Sequence, residues 1–109
     1  MRRKNTLDGR VQAEAKIAFR QLRLEINQLH GIYRRHRPQQ YRNMPPLDPT
    51  VVRSLLSEAQ RLRDQVANWL SVVEGHHPAH LINSCHKLDR TLAMLEMELE
   101  WEHKLATRT

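Results

Sequence analysis

The stretch DPTVVRSLLSEAQRLRDQVANWLSVVEG, residues 48–75, decides the fold. Val52, Leu55, Ala59, Leu62, Val66, Trp69 and Val73 recur in it at alternating steps of three and four, which places them along one face of an α-helix. Its start is marked by Asp48 as N-cap and Pro49 at the first helical position, where a missing amide proton costs nothing. Gly75 stops it as the residue after the last turn. So strict a heptad predicts packing against other helices at small crossing angles.

Reading outward toward the C-terminus, Pro78 restarts the chain within three residues of Gly75, and a third helix is expected from Pro78 to about Lys104. Leu81, Cys85, Leu88, Leu92, Leu95 and Leu99 form its core stripe. So short a connection makes helices two and three an antiparallel hairpin. Toward the N-terminus, Pro38, Pro45, Pro46 and Pro49 keep the segment before helix two extended or turning, since each lacks an amide donor and restricts the residue before it. Beyond it, residues 8 to about 36 read as the first helix. Val11, Ala15, Ala18, Leu22, Ile26, Leu29 and Tyr33 are its stripe, and a bend or fraying is expected at Gly31. The fold expected is all-α: an antiparallel three-helix bundle with a long basic first helix and a proline-rich crossover loop. It makes one domain over 1–109, with a basic N-terminal arm at 1–7 and the loop at 38–48.

Charge is distributed unevenly along this frame. Residues 1–42 carry eleven Lys/Arg against three Asp/Glu and residues 43–109 carry seven against nine, about +8 and about −2, which sum to the net +6. A field so concentrated attracts polyanions. On helix one, at about 100° per residue, Lys16, Arg20, Arg23, Asn27, His30, Arg34 and Arg37 share one flank beside the apolar stripe, and Arg35 and Arg42 extend it. Such a ridge suits phosphate neutralisation with release of counterions. Tyr41, in the loop, is a candidate for stacking on a base, whereas Tyr33 belongs to the core stripe. No helix-turn-helix, zinc-finger or RNP-type pattern accompanies the ridge, so nothing points to sequence readout.

Helix three carries a second apolar line, Met94, Met97 and Trp101, roughly opposite its core stripe, with Glu96, Glu98, Glu100 and Glu102 around it. A helix apolar on two faces offers one of them to a partner. Met94, Met97, Trp101, Glu98 and Glu102 are therefore candidate protein-interface residues. Acidic helix three against basic helix one of another copy would be a heterologous contact able to build a row.

Enzymatic signals are weak. Three glycines supply no phosphate-binding loop, and neither a Ser/His/Asp set nor a carboxylate pair can be argued from the spacings. Arg23 and His30 stand as Arg-x6-His, which superficially resembles the motif of helical HEPN ribonucleases. Leu24 stands where that motif favours a polar residue, and the pair lies on the first helix. His76, His77, His80, Cys85 and His86 invite a zinc reading, but Cys85 falls on the core stripe and no CxxC accompanies it, so no metal and no cofactor is expected. One cysteine cannot form an internal disulfide, and no run approaches the roughly 18 apolar residues of a membrane span. The expectation is a non-enzymatic cytoplasmic protein, not a membrane one. Its expected partners are nucleic acid, DNA or RNA, gripped by its backbone, and protein subunits of a larger complex, copies of itself among them. In architecture and charge it resembles the small helical subunits of CRISPR effector complexes, or phage and plasmid nucleoprotein accessory factors, an analogy that no motif carries. The alternative is a helical adaptor or oligomerisation protein that docks through helix three.

Overall fold

The computed structural model describes residues 2–36, 47–75 and 79–107, with side chains described over 9–36, 47–75 and 79–105. Three helices make up the fold: α1 (Arg2–His36), α2 (Pro49–Glu74) and α3 (Ala79–Thr107). It is an all-α three-helix bundle with a longest dimension of 62 Å and a radius of gyration of 17.3 Å, well above the roughly 13 Å of a compact domain of this length. The elongation follows from the helices. At 1.5 Å per residue the 35 residues of α1 alone span about 53 Å.

α2 starts as its sequence dictates. The Asp48 carboxylate accepts a hydrogen bond from the Thr50 backbone amide at 2.8 Å, and the Asp48 carbonyl accepts the first turn's bond from the Val52 amide at 3.1 Å. Gly75 follows the last residue in a right-handed conformation, φ −66° and ψ −18°, so the left-handed freedom of glycine is not used there. Pro78 lies outside the described residues, as do 37–46 with most of the proline-rich loop.

The seven-residue stripe of α2 and the six-residue stripe of α3 face the interior. Leu62, Leu92 and Leu99 are completely buried, and Trp69 is partly so. α1 lies against both other helices, with its partners on α2 met in opposite chain order: Phe19 meets Trp69, and Glu25, further along, meets Arg61.

α1 departs from the periodicity in two places. It begins at Arg2 rather than near residue 8, so the expected arm is helical backbone; no proline interrupts it, and Arg and Lys are good helix formers. Its buried stripe is Ala15, Phe19, Leu22, Ile26, Leu29 and Tyr33, with Phe19 where Ala18 was expected and Val11 only half-buried. The Phe19 ring meets Trp69 edge-on, centroids 6.0 Å apart and planes at 85°. The larger apolar surface takes the inward position. The helix also runs through Gly31 without interruption.

An added Cβ at Gly31 would meet nothing within 4 Å. Gly31→Ala is therefore expected to stabilise the fold by about 0.5–1 kcal/mol, because alanine lowers the entropy of the unfolded chain without a clash. Leu92→Ala, which opens a cavity in the core, is expected to destabilise by about 2–5 kcal/mol. Urea denaturation with circular dichroism measures both, and a destabilised Gly31→Ala would mean the glycine is packed against something.

Candidate nucleic-acid interface

The buried face of α1 fixes where its cations point. Lys16, Arg20, Arg23, Asn27 and Arg34 are exposed along one flank, and His30 on the same flank is half-buried. From Lys16 to Arg34 the flank runs about 27 Å along the axis. Arg35 is exposed but sits further round, on the outward face, where it lines a shallow depression with Leu24, Gly31 and Ile32. Arg37, Tyr41 and Arg42 lie outside the described residues.

Ion pairs identify what flanks this surface. Glu25 is paired to Arg61 of α2 at 3.4 Å, so α2 lies on the flank of α1 opposite the cations. On α3, Asp89 and Glu96 are bound to Arg63 of α2, which puts α2 on that flank and α1 on the other, where Glu98 projects. The cationic flank of α1 and the Met94, Glu98 side of α3 therefore belong to the same α1/α3 side of the bundle.

Charge pairing separates the cations into two classes. Arg63 donates from Nε to Asp89 Oδ1 at 3.0 Å and from Nη1 to Glu96 Oε2 at 2.9 Å. The hydrogen bonds to Asp89, then to Glu96, hold its guanidinium even more firmly charged than usual. Arg61 is bonded to Glu58 and Glu25, and the bond to Arg61 holds the Glu58 carboxyl below its ordinary range. Arg10 lies 3.7 Å from Glu14. By contrast, among the described residues Lys16, Arg20, Arg23, Arg34 and Arg35 on α1 make no ion pair and no side-chain hydrogen bond, and neither do Arg53 on α2 or Lys87 and Arg90 on α3. Cations arranged this way have no neighbouring carboxylate to compete with an external anion.

The interface residues expected on α3 divide as well. Met94, Met97 and Trp101 are exposed, Trp101 by 60%, and Glu98 is exposed beside them. Glu102 is not part of that face, because it is completely buried. Three residues past Leu99, it falls on the inward side of the helix, away from Met94, Met97 and Trp101. The periodicity also passed over a feature of α1. Ile17, Leu24 and Ile32 are exposed, Ile17 by 69%, outside the buried stripe. Their spacing of seven and eight was legible as a second apolar line, as it was for α3.

Of the histidine and cysteine group, His76 and His77 lie outside the described residues, His80 and His86 are exposed, and Cys85 is completely buried. Among the described residues no three His, Cys, Asp or Glu are grouped to hold a metal ion. No described helix is long and apolar enough to cross a membrane. No family model, no curated protein and no solved structure matches this chain.

Burial pushes the Cys85 thiol from an ordinary 9.0 up to about 11. In the native protein at pH 8 it is expected to resist iodoacetamide and to react only as fast as the chain opens. Because the folded value is raised, the stability it contributes is complete below pH 9 and is lost as pH rises toward 11. Mass spectrometry of alkylation with and without urea measures the first effect; rapid labelling of the folded protein would place the thiol at the surface.

Proposed function

We propose that this chain is a non-enzymatic basic helical subunit that binds nucleic-acid backbone without sequence readout, as part of a larger nucleoprotein assembly. The observation that carries the reading is the row of exposed cations aligned on one flank of α1, Lys16, Arg20, Arg23 and Arg34, with no acidic partner among the described residues. Such a row loses little hydration until a polyanion arrives, and each phosphate it neutralises releases condensed counterions. Phosphate contacts alone position a protein without reading bases.

The single substitutions Arg20→Ala, Arg23→Ala and Arg34→Ala are expected to weaken binding to unrelated oligonucleotides about equally. Each should flatten the dependence of log K on log salt by up to about one unit. Fluorescence anisotropy across a salt series measures this. Salt-independent binding, or no binding at low salt, would overturn the proposal.

A second reading, a helical adaptor, is favoured by the exposure of Met94, Met97 and Trp101. Under it, Trp101→Ala should abolish capture of a protein partner while the thermal melt stays within a few degrees of the parent, since the ring is mostly in solvent. A collapsed melt would assign Trp101 to the fold.

A further inference from the structure

Seven large apolar side chains are exposed among the described residues, and six of them form two strips: Ile17, Leu24 and Ile32 on α1, and Met94, Met97 and Trp101 on α3. Scattered apolar residues are ordinary on a protein surface, but two lines at helical spacing are not. Each strip lies outside the buried stripe of its helix. Neither is covered by the other within one molecule.

The strips differ in relief and in charge. On α1, Ile17 and Leu24 border one shallow depression and Leu24 and Ile32 border the next, where Gly31 leaves the helix backbone bare. On α3 the strip consists of long side chains, two of them flexible thioethers and one an indole. Arg20 and Arg35 line the α1 depressions. Glu98 and Glu100 flank the α3 strip, with Arg90 and Lys104 at its two ends. Among the described residues Arg20, Arg35, Glu98 and Glu100 make no ion pair.

We infer that a second copy of this chain covers the α1 strip with its own α3 strip, Met94, Met97 and Trp101 seating against Ile17, Leu24 and Ile32. Charge decides the pairing. A contact of α1 with α1 sets Arg20 and Arg35 against their own kind, and a contact of α3 with α3 does the same to Glu98 and Glu100. α1 against α3 sets Arg20 and Arg35 opposite Glu98 and Glu100, none of them in an ion pair among the described residues, at the rim of the apolar contact. The contact is heterologous, so each pair of copies retains one free strip of each kind and association continues into rings or rows. Because Lys16, Arg23 and Arg34 lie on the α1/α3 side of the bundle, away from the α1 depressions, stacking leaves them open, whereas Arg20 sits at the rim of the contact. The inference does not depend on nucleic acid binding, and its test excludes nucleic acid.

The experiment is sedimentation velocity on nuclease-treated protein from about 1 to about 100 μM, a range suited to a small helix-on-helix contact with micromolar Kd. The parent protein is expected to shift to larger species with concentration, and less so at high salt. Leu24→Glu disables only the α1 strip and Trp101→Glu only the α3 strip. Each variant alone is expected to stay monomeric, whereas an equimolar mixture should form a 1:1 dimer that grows no further. Circular dichroism checks that both are folded, and Ile17→Gln with Met97→Gln repeats the design if either is not. A parent protein monomeric throughout overturns the inference, as does either variant dimerising alone, which would reveal a symmetric contact. If association holds while oligonucleotide binding fails, only the proposed function falls.

Discussion

Burial of one leucine-rich seam between α2 and α3 sets what every other surface can do. Leu62 on one helix and Leu92 and Leu99 on the other are completely removed from water, each a gain of about 1.5–3 kcal/mol before chain entropy is subtracted. Arg63 brackets the same pair of helices from outside, joined to Asp89 and Glu96. Together the two helices form an apolar cleft, and α1 answers it with Phe19, Leu22, Ile26, Leu29 and Tyr33. With that face committed, the arginines one flank away have no freedom to turn inward. The presentation of charge is a by-product of the core.

The parts of this fold that were legible in the sequence are those where local signals agree. Asp48 and Pro49 mark a helix start through bonds made within four residues, and the α2 and α3 stripes are unbroken, so the three-helix bundle could be read directly. α1 was harder at its ends and in its register. Ala15 to Leu22 can be bridged through Ala18 or Phe19 with equally good spacing, and only Trp69, fifty residues away, selects the ring. The start at Arg2 depends on small propensities with no cap to announce it.

The cations of the candidate site were legible as residue types at a spacing. Their lack of partners was not, because pairing is long-range: Glu25 is spoken for by Arg61 and Glu96 by Arg63, neither on the same helix. Glu102 shows the opposite failure. A run of alternating glutamates reads as solvated, yet helical phase turns one of them inward. The apolar line of Ile17, Leu24 and Ile32 was visible in principle and was hidden by the stronger stripe beside it.

The unequal chain distances between these helices also order the assembly of the fold. Only residues 75–78 separate α2 from α3, so their seam closes a short loop and involves mostly local contacts. α1 reaches the pair across residues 37–48 and makes the smaller share of the packing. The hairpin is thus the expected first cooperative unit, and α1 the last to dock and the first to open in native-state fluctuations. Amide protons of α1 should exchange with solvent faster than those of the seam. A ligand gripping the α1 arginines would then act on the least stable element of the protein, slowing that exchange and raising the stability of the whole by mass action.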